Sequence, residues 1–471
     1  MLAGFLILFS SRSFWLLQLA YFVAALLLLA GMDSDIIHQA SADVASWIAP
    51  ARALLTHQAF VSLGQPDVID IYRPPLVPMF NAIFLWVGGN FGFKLIIIAQ
   101  IILLSLTATV TGLIANRLRS GIGVFAAALV LFNPNSLSTA LLLQSETLFT
   151  FFLIISCAFL LFIIQTQKWQ YAIGCAVALS IATLCRPTTQ YLVVLMPFIL
   201  PTLLLIQYGP QRFLYRWIGL GMFASIISTV ILLPWAFFVG KVEGKPTLVS
   251  SEISSIYVRD QLITLESYTS GLSIDAVSEK MKAEEAGVLR SGCNKLRLNS
   301  PDRVACFQAA LESNWKSIRG YTYLDYLRAM GRSILSFSMS GGAGNWHNII
   351  SVNQSVDITS AWSSSEQGNA AHAFFRSLSQ LNNAAIFISL TCILMSTCLK
   401  IFAVIGFAGL LRQREFLGPM IFLGVCGYFI ATTLFLGQSR YRVPIEPYIS
   451  ILATFGYLTV REFFQKMKHY F

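Results

Sequence analysis

Charge is scarce in this 471-residue sequence: Asp, Glu, Lys and Arg make up only 11% of it, against about a quarter of a soluble globular chain. Hydrophobic residues make up 56%, and the mean hydropathy is +0.68. A soluble globular class is excluded, and a polytopic membrane protein is left. Histidine is scarce and scattered, with His38, His57, His347 and His372 in no zinc-binding spacing. A Gly-rich phosphate loop, a Walker motif and a nucleophile elbow are all missing, which argues against a nucleotide-hydrolysing pump. No Arg-rich or RNP-like stretch turns the net charge of +10 toward nucleic acid. That excess fits cytoplasmic loops and anionic membrane lipids instead. The apolar segment Met1 to Ser10 lacks a basic leader and a small-residue cleavage site, and reads as lead-in to a retained first helix rather than a signal peptide. No repeat of 20–50 residues is found. Of the eight cysteines, six lie in apolar runs. The other two, Cys293 and Cys306, lie in the one long polar loop and can pair if it faces an oxidising compartment.

What the sequence does have is apolar runs of spanning length, about 20 residues each. They are Phe14 to Met32, Phe93 to Ala115, Gly121 to Ala140, Thr147 to Gln165, Tyr171 to Cys185, Thr188 to Ile206, Trp217 to Val239, Ala384 to Leu411, Leu417 to Leu436 and Val443 to Val460. A shorter run, Leu76 to Gly88, starts after Pro75 and ends in Gly88-Gly89, and is expected to lie in the interface or to dip in and return. The basic residues agree. If that run does not cross, Arg12, Arg117, Arg119, Lys168, Arg212, Arg216, Arg412, Arg414, Arg461, Lys466 and Lys468 share one side, and the opposite short joints carry only Arg186, Arg440 and Arg442. The excess marks the first side as cytoplasmic. The expectation is an all-α polytopic membrane protein with about ten transmembrane helices, juxtamembrane helices and both termini cytoplasmic. It divides into an N-terminal transmembrane module 1–239 with a first outer loop 33–92, a large outer loop 240–383, and a C-terminal transmembrane module 384–471.

On this topology the carboxylates and isolated arginines gather on the outer face, where cytosolic nucleotide-activated substrates do not reach directly. Asp43, Trp47, Ala51 and Leu55 recur every four residues, so they share one helix face with a carboxylate at its start. The plain alternative for Asp43 is a helix-start acid that complements the helix dipole. Asp33-Ser34-Asp35 has the look of a metal-holding pair. Phe132-Asn133-Pro134-Asn135 is expected to kink the third span near the outer face. Tyr72-Arg73-Pro74-Pro75 places a fixed charge at the interface, and Arg186, Arg440 and Arg442 flank Glu146 and Glu446. Snorkelling anchors are the bland reading of these arginines. Several of them converging on one face is what a phosphate needs. Glu446 is expected to pair structurally with one of them. In the large loop, Ser273 to Leu289 reads as a helix, Ser300-Pro301-Asp302 as the start of another, and Tyr321 to Phe337 as a helix on the bilayer that ends at Ser340-Gly341-Gly342-Ala343-Gly344. Ser351 to Gln367 is Ser-rich.

Taken in order, these motifs carry a family resemblance: Asp43-x-x-x-Trp47-x-x-x-Ala51-x-x-Leu54-Leu55, then Tyr72-Arg73-Pro74-Pro75-x-x-Pro78, Ser145-Glu146-Thr147-Leu148, Arg186-Pro187-Thr188 and Arg440-Tyr441-Arg442-Val443-Pro444-x-x-Pro447. The chain resembles the GT-C membrane glycosyltransferases, in the branch of protein O-mannosyltransferases and lipid A aminoarabinose transferases. The resemblance covers both membrane portions and covers 240–383 poorly. It implies a GT-C-like fold, a polyprenyl-phosphate-linked sugar as donor, and transfer on the outer face of a bacterial inner membrane to a lipid, glycan or protein acceptor. It implies Asp43 as catalytic base. Tyr72, Arg73, Glu146, Arg186, Arg440, Tyr441 and Arg442 are implied as donor-phosphate or substrate contacts, with the leaving charge met by arginine or by a divalent metal. The sequence departs from the family after Pro234-Trp235, where Ala236-Phe237-Phe238-Val239 stands in place of Arg-Asn. Two other readings stay open: a lipid-substrate transporter or flippase, expected to show charges at mid-membrane in broken helices, and a polymerase or ligase of lipid-linked glycans.

Overall fold

The computed structural model describes residues 8–32, 43–209, 214–283, 291–339, 341–350 and 383–468. Asp33-Ser34-Asp35, His38, His372 and the Ser-rich 351–367 lie outside them.

Each apolar run becomes helix, because a backbone in hydrocarbon must satisfy its own hydrogen bonds. In chain order these are α1 (Arg12–Ala30), α2 (Val44–His57), a short antiparallel hairpin of β1 (Val61–Ser62) and β2 (Gln65–Ile69), α3 (Leu76–Gly88) and α4 (Gly92–Leu118). There follow α5 (Gly123–Leu131), α6 (Pro134–Ala140), α7 (Glu146–Thr166), α8 (Trp169–Cys185), α9 (Gln190–Tyr208) and α10 (Leu214–Glu243). Among the described residues, seven helical stretches are long and apolar enough to cross a membrane, and α8 is a shorter apolar helix, as is one near the C-terminus. The run Gly121 to Ala140, expected as one kinked span, is two short helices. Phe132 closes α5 and Asn133 caps α6, its Oδ1 accepting from the backbone N–H groups of Asn135 and Ser136 at 3.0 and 3.2 Å. Pro134 then takes the first helical position, where it lacks nothing the helix needs.

The run Leu76 to Gly88, expected at the interface, is α3. It turns at Gly89 (φ +50°) and folds back on α4. A Cβ at Gly92 would meet the Leu85 backbone at 2.8 Å, so the close approach of the two helices needs glycine there, whereas one at Gly88 would meet only the end of the Leu95 side chain, which can move aside.

The region after α10 folds as α11 (Ser251–Ser270), α12 (Ile274–Ala283), α13 (Pro301–Arg319), α14 (Tyr323–Met339) and α15 (Ala343–Ile349). The expected Ser300 cap is present, with Oγ accepting from Arg303 N at 3.2 Å. Of the expected helix Ser273 to Leu289, residues 274–283 are helical and 284–290 lie outside the described set. α11 and α15 were not expected. A disulfide joins Cys293 to Cys306, with Cα atoms 5.6 Å apart. Val258, Leu262, Leu265, Ile318 and Ala329 form a small core with Phe435, which docks this region onto the C-terminal helices.

Those helices are α16 (Asn383–Arg412), α17 (Leu417–Thr433) and, after a 3₁₀ segment Ser439–Ile445, α18 (Glu446–Lys468). α16 and α18 touch backbone to backbone. A Cβ at Gly406 would strike Leu452 O, and one at Gly456 would strike Phe402 O. Small residues at such crossings allow helices to pack closely where lipid supplies no hydrophobic drive.

Candidate active site

The candidate site forms where the start of α2, the loop before α3, the start of α7, the end of α8 and the 3₁₀ segment Ser439–Ile445 meet. Asp43 sits just before α2. Its Oδ1 accepts from Arg73 Nη2 at 2.9 Å and its Oδ2 from Arg440 Nη1 at 2.7 Å. Residues 397 positions apart are thus joined by one carboxylate. Arg73 is fixed from three sides. Its Nε and Nη2 donate to Ser46 Oγ at 3.0 and 2.8 Å, and its guanidinium lies over the rings of Trp47 (4.3 Å) and Tyr72 (5.2 Å). Tyr72 is held in turn, its N–H donating to Asp70 Oδ1 at 2.9 Å. This explains the spacing of four: Trp47 lies one turn beyond Asp43, as floor for the arginine that the acid grips.

On the other wall Arg186 pairs with Glu146, which is 4% exposed. Arg186 and Arg440 both lie against the Tyr441 ring, at 5.5 and 5.0 Å. Arg440 also donates Nη2 to the Tyr441 hydroxyl at 3.0 Å, and its Nε is buried with no partner. The three ion pairs bring together three guanidinium groups and two carboxylates, a surplus of one positive charge.

Burial pushes the Asp43 carboxyl up, but the charges of Arg440 and Arg73 outweigh it and hold the group below the ordinary carboxylate range. Burial raises Asp70, with Glu252 adding to the rise and the Tyr72 N–H opposing it. Burial likewise raises the Tyr72 phenol against the pull of Arg73.

Seven of the residues singled out from sequence therefore share one site: Asp43, Tyr72, Arg73, Glu146, Arg186, Arg440 and Tyr441. Arg442 does not face it. It is 1% exposed and turns inward, donating Nε to Glu446 Oε1 at 2.5 Å, Nη2 to Ser396 Oγ at 3.1 Å and Nη1 to Phe337 O. Glu446 pairs as expected, and it also accepts from Asn133 Nδ2 at 3.0 Å. Lys400, on α16, joins this second cluster through Ser396 O at 3.0 Å. Sequence reasoning passed over Ser46, Asn133 as a Glu446 partner, and Lys400. Lys400 left a signal, since a lone charge inside an apolar run is a marked position. Among the described residues no three His, Cys, Asp or Glu side chains converge as for a metal ion. Trp235, at the departure from the family pattern, anchors the end of α10. It stacks on Phe238 at 5.2 Å and donates to Leu248 O at 3.3 Å.

Comparison with known proteins adds three findings. Residues 72–235 match the sequence profile described as dolichyl-phosphate-mannose-protein mannosyltransferase. That bears out the resemblance to GT-C glycosyltransferases, and the matched stretch holds Tyr72, Arg73, Glu146 and Arg186 but neither Asp43 nor Arg440. No curated protein matches the chain in sequence. A solved structure, ArnT from Cupriavidus metallidurans bound to undecaprenyl phosphate, is similar at 12% identity and a TM-score of 0.42, over 94% of this chain and 78% of that one.

Proposed function

We propose that the chain is an inverting membrane glycosyltransferase that moves a sugar from a polyprenyl-phosphate donor to an acceptor hydroxyl. The sequence match to sugar transferases and the paired acid and arginines support this reading. Asp43 accepts the proton of the acceptor hydroxyl as its oxygen attacks the anomeric carbon. The bond from that carbon to the phosphate oxygen breaks on the opposite face, and polyprenyl phosphate leaves. Arg440 and Arg186, steadied by Tyr441, meet the charge that develops on the phosphate. Arg73 and Ser46 hold Asp43 in place. The observation that carries the proposal is Arg440: it reaches the base through Nη1, keeps a buried Nε unsatisfied, and stands in a cluster one positive charge in surplus. A buried donor left unmade is costly, and an anionic phosphate oxygen would complete it. Binding of radiolabelled polyprenyl phosphate to the purified protein tests this. The expected outcome is loss of binding in Arg440→Ala, with the fold intact by thermal melting; undiminished binding contradicts it.

We place the site on the outer face of a bacterial inner membrane, with both termini cytoplasmic. The distribution of basic residues supports this, as does the Cys293–Cys306 bond, of the kind that persists in oxidising compartments.

A second reading, as a flippase for lipid-linked substrates, draws on the break between α5 and α6 beside buried Arg442 and Glu446, with Lys400 close by. Arg442 and Glu446 satisfy each other, as in a structural brace, so the enzymatic reading is preferred. Donor movement across vesicles without sugar transfer would reverse that preference.

A further inference from the structure

We propose that the open cavity lined by α11, α12 and α13 binds a neutral carbohydrate chain. Its volume, about 510 Å³, falls within the range of small-molecule sites. Two observations point to a polar ligand without net charge. Ser255 on α11 lines the cavity and is 1% exposed, yet its hydroxyl has no hydrogen-bond partner. Buried hydroxyls are nearly always satisfied, so this one is a donor and acceptor in waiting. Among the described residues that line the cavity, the cations are already matched: Arg259 with Asp260 at 2.7 Å, Lys280 with Glu266 at 2.9 Å and Lys282 with Glu279 at 2.5 Å. An anion would have to compete with the carboxylate of one of these pairs. A neutral ligand rich in hydroxyls would not. Leu262 and Met281 supply apolar wall beside Asn314 and Ser317. Sugars present this mixture on their own surface, with C–H faces beside hydroxyl edges.

α11 ties the cavity to the candidate active site. Another face of it reaches the C-terminal helices, with Gln261 donating to Thr433 O at 2.7 Å and accepting from Phe435 N at 2.8 Å, and with Tyr257 in electrostatic reach of Tyr441 and Arg186. The carbohydrate is therefore assigned as part of the acceptor. That assignment rests on the glycosyltransferase reading; the binding does not.

Calorimetric titration of the full chain in lipid nanodiscs tests it. The probes are neutral tetrasaccharides of glucose, mannose and N-acetylglucosamine, with tetragalacturonate as anionic comparator. At least one neutral tetrasaccharide is expected to bind. Ser317→Trp, built from the exposed rim, is expected to weaken that binding about tenfold or more while polyprenyl phosphate still binds. No binding of any neutral tetrasaccharide, binding indifferent to Ser317→Trp, or tighter binding of tetragalacturonate would overturn the proposal. Tetrasaccharide binding without polyprenyl-phosphate binding would leave the cavity standing and remove the donor reading.

Discussion

Asp43 has both oxygens engaged by guanidinium groups, and this sets its pH behaviour. Its folded pKa lies below the ordinary carboxylate value, so the base is ionised throughout the neutral range. Transfer should be flat there and should fall only below about pH 4. The same depression contributes stability above the unfolded pKa, lost as pH falls through the folded one. Arg440→Gln removes the larger of the opposing charges and leaves only Arg73 and the more distant Arg186 against burial. The acidic limb of kcat/KM should then move up in pH; an unmoved limb would show that Asp43 is not the titrating base. Asp43 was legible as a candidate from the spacing of four that it opens, and Arg73 from its place just before Pro74-Pro75. Their contact with Arg440 was not, since sequence order carries no distance across 397 positions.

The elements differ in how plainly the sequence announces them. Asn133-Pro134 was readable because proline punctuates a helix wherever it falls. α11 was not, because Ser251, Ser255, Gln261 and Ser267 are buried with it and dilute the short apolar stripe of Val258, Leu262 and Leu265. The break between α5 and α6 has a consequence of its own. Asn133 both caps α6 and donates to Glu446, so Asn133→Ala should lower stability by about 1 kcal/mol for the cap and further for the lost contact. Thermal melting in detergent checks this, with Phe132→Ala at the partly exposed neighbouring position as control. At the α16–α18 crossing, Gly456→Val should be worse, since its side chain would meet the Phe402 backbone. A melting temperature equal to that of the wild type would mean the two helices do not cross as described.

At the scale of the whole molecule, topology and chemistry have to agree. If 240–383 lies in an oxidising compartment, Cys293 and Cys306 should resist alkylation in intact cells until reductant is added. Immediate labelling of both by a membrane-permeant reagent would show reduced thiols and count against the outer-face placement. The overall helical plan was legible because runs of apolar residues can do little else in lipid. The site is the harder part, since it is assembled from both membrane portions by packing.

The most direct measurement is donor turnover. The purified chain in lipid is given radiolabelled polyprenyl-phosphate sugars with membrane extract as acceptor, beside Asp43→Asn. The account predicts transfer by the wild type, and a fall of roughly 10²–10⁴-fold in the variant with donor binding kept. Transfer undiminished in Asp43→Asn would contradict it.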